Sequence, residues 1–170
     1  MVQLLHVGTF AAVIIFTAIA AWASYTDIKN RIIPNISVLA VIGLSAIYMI
    51  GETPAAALSG LLAGLLALAI GIGFYAVKWM GAGDAKFFAA TSLMIGMASM
   101  LEFGLVTAAL GGLVAVVSVI TRPQRAMIMM QMRGKGDYGR GVPYGVAIAV
   151  AGVIMLWARL LHIVLPTVSF

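Results

Sequence analysis

Cysteine is absent from the chain. That excludes a disulfide, a thiolate metal site and a cysteine nucleophile, and it leaves the redox compartment unreadable. Histidine is nearly absent too. His6 and His162 stand near the two termini without further ligands close by, so neither a metal nor another cofactor is expected. Charge is the third shortage. Only 9% of the 170 residues are Asp, Glu, Lys or Arg, where a soluble domain carries about 25%. An ordinary water-soluble globule is excluded on that ground.

What is present fits lipid. The chain is 64% hydrophobic, holds 19 glycines and has a mean hydropathy of +1.15. Helices in a bilayer tolerate glycine better than helices in water. At roughly 20 residues per crossing, the length has room for about six spans. Apolar runs occupy residues 4–24, 34–50, 54–77, 84–100, 102–120 and 142–164. The expected fold is therefore all-α, a polytopic membrane helical bundle of about six transmembrane helices forming one domain over 1–170. No Lys or Arg precedes the first run and no small-residue cleavage site follows it, so it does not read as a signal peptide.

The charges give the orientation. Lys29, Arg31, Lys78, Lys86, Arg122, Arg125, Arg133, Lys135 and Arg140 all fall on one side of a six-span layout; of the 10 basic residues only Arg159 falls on the other. Basic loops stay in the cytoplasm. The N-terminus is then outside, and loops near 25–33, 78–83 and 121–141 are cytoplasmic. Trp22, Tyr25, Tyr75 and Trp79 form an aromatic belt at that boundary. The net charge of +5 reflects this asymmetry, and no nucleic-acid partner is expected. The basic, Met-rich stretch 121–141 is assigned to topology and to anionic membrane lipid. Small residues at helix-packing spacing, Gly60 with Gly64, Gly8 with Ala12 and Ala108 with Gly112, read as close helix contacts.

There are 5 acidic residues. Glu52 and Glu102 sit in short outer hairpins and read as solvated helix ends. Asp137 lies in a wet, glycine-rich basic loop. Asp27 follows the first span, where a negative charge opposes the helix dipole; an ion pair with Lys29 or Arg31 is the alternative. Asp84 follows Gly81-Ala82-Gly83 and begins a span, where it can serve as an N-cap. A carboxylate at the bilayer edge nevertheless costs on the order of 2 kcal/mol or more unless paired or hydrated. Asp27 and Asp84 share one face and one depth. Two carboxyls brought together do not both ionise easily. The ionised one can take a proton from water, and the protonated one can polarise a carbonyl and protonate a leaving amine. That amounts to peptide hydrolysis without metal or covalent intermediate, with Gly81 and Gly83 leaving room for a substrate backbone.

These residues resemble a known family. Gly81-Ala82-Gly83-Asp84-Ala85-Lys86 is similar to the GxGD-x-K signature of the bacterial prepilin peptidases. Asp27-Ile28-Lys29-Asn30-Arg31-Ile32-Ile33-Pro34-Asn35 resembles their other motif, and Val142-Pro143-Tyr144-Gly145 resembles the start of their final helix. The resemblance implies a GxGD aspartyl protease, with Asp27 and Asp84 as catalytic residues and with Gly81, Gly83 and Lys86 in the signature. It implies removal of a short basic leader from type IV or Flp-like prepilin precursors at the cytoplasmic face of the inner membrane. It also implies the short Flp/Tad-type form, similar as well to archaeal preflagellin peptidases, without the cysteine-rich methyltransferase segment. The rival readings are a small ion- or proton-coupled transporter using the same aspartates, and a structural subunit in which they pair with Lys86 and Arg31. Neither the particular precursor nor the oligomeric state is legible.

Overall fold

The computed structural model describes residues 2–121 and 144–164. Over these the chain forms α1 (Val2–Asn30), α2 (Asn35–Ile50), α3 (Pro54–Ala76), α4 (Ala82–Ile95), α5 (Met100–Thr121) and α6 (Tyr144–Val164). The expected all-helical membrane bundle is what is found. Four of the helices (α1, α3, α5 and α6) are long and apolar enough to cross a bilayer. The expected basic loop lies, apart from Thr121, outside the described residues, as does Asp137.

α4 is the hub. At 14 residues it is ~21 Å long, short of the ~30 Å hydrocarbon core. It packs against α2, α3, α5 and α6, while α1 packs against α2 and α6. Surrounded in this way, α4 buries Ala85 and every residue from Phe87 to Ser92. The periphery is the inverse of a soluble protein. Ile15, Leu58, Leu65, Leu101 and Leu113 are all exposed, as side chains facing lipid must be. Trp22, Tyr25, Tyr75 and Trp79 are exposed as well.

Local chemistry sets the ends of the elements. The first helix runs to Asn30, past the end of its apolar run, so Asp27 lies inside the last turn of α1 and not in the loop. Thr26 Oγ1 donates back to the carbonyls of Ala23 (2.9 Å) and Trp22 (3.2 Å), which keeps a polar residue compatible with the helix. Arg31 then turns left-handed (φ 57), and its N–H bonds the Asp27 carbonyl at 2.9 Å. Pro34 excludes helical backbone for Ile33 before it and opens α2. At the end of α3, Lys78 (φ 65) occupies the usual glycine position of a Schellman motif. The Trp79 N–H reaches the Phe74 carbonyl at 2.9 Å, and the two rings lie 5.8 Å apart.

Thr53 caps α3, accepting from the Ala56 N–H at 3.3 Å, with Pro54 in the first turn. Thr53→Ala is expected to lower stability by about 1 kcal/mol, read as a lower midpoint of thermal unfolding in detergent micelles.

Glycine contacts sort the small-residue pairs. Gly60 and Gly64 are buried against α4, where an added Cβ would strike Leu93 in both cases. Gly8 and Gly112 have open space instead, and Ala108 and Gly112 are exposed. Among the described residues the pair on α5 therefore faces outward and seams no helices. α1 and α6 are joined by a polar clasp. Trp157 Nε1 donates to Thr17 Oγ1 at 3.1 Å, and that hydroxyl donates to the Val13 carbonyl at 2.7 Å.

Candidate active site

Asp27 reaches the site from the last turn of α1, and Asp84 from the first turn of α4. Asp27 is 5% exposed and Asp84 is half-buried. The two carboxyls are close enough for the charge on one to act on the other. Among the described residues, Oδ2 of Asp27 has no hydrogen-bond partner.

The first turn of α6 faces both acids. The N–H groups of Gly145 and Val146 point toward Asp27, and that of Gly145 also points toward Asp84. This answers an electrostatic problem left by the sequence. Asp27 sits at the carbonyl end of α1, where the dipole is unfavourable, but at the amide end of α6, where it is favourable. The Arg31 charge acts on it as well. Lys29, the other expected partner, turns away: its Nζ donates to Tyr25 Oη at 3.3 Å and lies 5.6 Å from that ring's centroid.

Asp84 proves to be the third residue of α4, not its cap. Gly81 holds the cap position, and its N–H donates to Asp84 Oδ2 at 3.3 Å. That is half of a capping box, since glycine has no side chain to return the bond. Gly83 is half-buried, whereas Gly81 and Lys86 are exposed. One turn into α4 the fit is close: a Cβ on Gly71 of α3 would lie 2.9 Å from that of Ala85. Buried Ile33 lies between the starts of α4 and α6. A Cβ on Gly83 would stand 3.4 Å from its Cβ, and one on Gly145 would stand 2.6 Å from its Cδ1.

The other two acids among the described residues, Glu52 and Glu102, lie elsewhere. A recess of about 500 Å³ at the far end of α4 is lined by Tyr48, Glu52, Glu102 and Arg159 among others, and by neither aspartate. There the Tyr48 hydroxyl faces the Glu52 carboxylate, and Arg159 Nη1 donates to the Met94 carbonyl at 3.4 Å. Among the described residues no three His, Asp or Glu side chains gather to hold a metal ion.

Sequence reasoning missed the part of Gly145 and Val146. Their only signal was the resemblance of 142–145 to a helix start; Val142 and Pro143 lie outside the described residues.

Helices of membrane-crossing length mark a membrane protein, and two of its carboxyls lie toward the amide end of α6. Residues 14–116 match the Type IV leader peptidase family. The chain belongs to that family, and it is a membrane peptidase. No curated protein and no solved structure matches it.

Proposed function

We propose that the chain is an aspartyl endopeptidase that removes the basic leader from type IV or Flp-like prepilin precursors at the cytoplasmic face of the inner membrane. The observation carrying this reading is the buried, unpartnered oxygen of Asp27 within electrostatic reach of a second carboxyl on another helix. A fully structural acid is normally bonded on both oxygens; this one keeps an acceptor in reserve for water or a peptide. In the mechanism one carboxyl is ionised and takes a proton from the attacking water. The other holds a proton, polarises the scissile carbonyl and then protonates the departing amine. Charge asymmetry supports an N-terminus outside and a multi-pass layout, which sets both acids at the cytoplasmic boundary. A precursor with a basic leader inside and an apolar helix in lipid meets that boundary sideways, its apolar helix against the exposed leucines of the bundle. The acids stand at helix ends and not at mid-span, which favours peptidase over ion transporter.

Co-expression with a pilin-type precursor tests the reading. The leader is expected to be removed, with the new N-terminus identified by mass spectrometry. A folded, membrane-inserted chain that processes no such precursor contradicts it.

A further inference from the structure

Gly145 begins α6 at the point where that helix meets both acid-bearing segments. Its N–H faces Asp27 and Asp84 alike. A Cβ built on it would stand 2.8 Å from Asp27 Oδ2, 2.6 Å from Ile33 Cδ1 and 3.0 Å from Ile33 Cγ1. The Asp27 oxygen it would strike is the one without a hydrogen-bond partner. The Ile33 atoms it would strike belong to the side chain wedged toward Gly83, next to Asp84. A single added methyl therefore has two ways to be accommodated. It lifts the first turn of α6 from the carboxyls, or it rotates the Asp27 carboxyl and drives Ile33 toward Asp84. Either way the geometry between the two acids changes.

We propose that Gly145 is a positioning residue of the peptidase centre, its bare Cα seating α6 directly on Asp27 and its N–H orienting the two carboxyls toward each other. The proposal rests on Asp27 and Asp84 being the reacting pair. It concerns a residue outside both aspartate motifs and outside the matched span 14–116. The same helix supplies its own control. Gly152 is packed as closely, a Cβ there standing 2.8 Å from Thr91 Cγ2 and 2.9 Å from Phe16 Cζ, and neither neighbour is an acid. If tight helix packing were all that mattered, the two glycines would behave alike.

The test uses the full chain in lipid nanodiscs with a purified pilin-type precursor, and measures kcat, KM and thermal unfolding. Gly145→Ala is expected to lower kcat roughly 100-fold, the scale of a misplacement of about 1 Å. KM should stay within about twofold, since substrate docking is untouched. Gly152→Ala is expected to lower the unfolding midpoint while keeping the wild-type kcat per folded molecule. Ile33→Val removes the atom nearest to the new methyl and gives the Gly145→Ala chain room to assemble, yet leaves the contact with Asp27. The double variant is expected to fold and to remain slow. Wild-type kcat in Gly145→Ala, or its recovery in the double variant, overturns the proposal. Asp27→Asn in the same assay separates the two levels. If it is inactive while Gly145→Ala is fully active, positioning alone is wrong. If it is active, the paired-acid reading falls and this proposal falls with it.

Discussion

Replacing Asp84 with asparagine is expected to leave a folded chain that removes the leader at least about a hundredfold more slowly. The side chain keeps its size, and its amide oxygen can still accept from the Gly81 N–H, now bonded at 3.3 Å. The start of α4 should therefore survive. What is lost is the capacity to carry or release a proton at that point. Positioned acid–base groups contribute roughly 10²- to 10⁴-fold each, so the cleavage rate should fall at least about a hundredfold. Asp27→Asn is expected to match it in rate but not in stability. Its carboxyl is buried, and an amide there leaves a donor without a partner, at about 1–3 kcal/mol. Rates must therefore be normalised to folded protein, for example by the monodisperse fraction on gel filtration. A structural role in ion pairs predicts the opposite pattern, with processing that tracks the amount of folded chain.

Gly60→Ala is the substitution with the largest expected effect on the bundle itself. The new Cβ would strike the Leu93 carbonyl oxygen and lie 2.6 Å from Met49 Cε. The methionine end can swing aside; a backbone carbonyl in the last turn of α4 cannot. Accommodation requires α3 and α4 to separate, at about 2 kcal/mol. Since α4 carries Asp84, the shift should also slow cleavage. Gly73→Ala on the same helix meets no atom within 4 Å and should be neutral or stabilising, by up to about 1 kcal/mol from helix propensity. Paired unfolding midpoints in one detergent check the contrast. Equal destabilisation by the two would mean that α3 and α4 are not held at this contact.

The apolar runs and the two aspartate motifs were legible in the sequence because each is local. Hydropathy located the helical runs, and the glycines before Asp84 marked a helix start. Helix ends were less legible. Residues 25–30 are polar enough to look like a loop, yet Thr26 bonds back into α1 and the helix continues to Asn30. Conversely, α4 stops at Ile95 because Gly96 takes φ 80, a turn that an apolar run does not announce. Spacing could not say which small-residue pairs face inward. Gly60 and Gly64 meet Leu93, whereas Ala108 and Gly112 face outward, and only the tertiary packing distinguishes them. The seat of Gly145 on Asp27 was least legible of all, since it joins the first helix to the last.

The central claim is that Asp27 and Asp84 act as one unit, and a double-variant cycle of cleavage rates tests it most directly. Wild type, Asp27→Asn, Asp84→Asn and the double variant are compared on one purified precursor, per folded molecule, in one lipid. Groups that share a single chemical step lose nearly everything when either is removed. The account predicts that the double variant is no slower than the slower single variant. Single variants that cleave at the wild-type rate, or losses that multiply in the double variant as for independent sites, would contradict it.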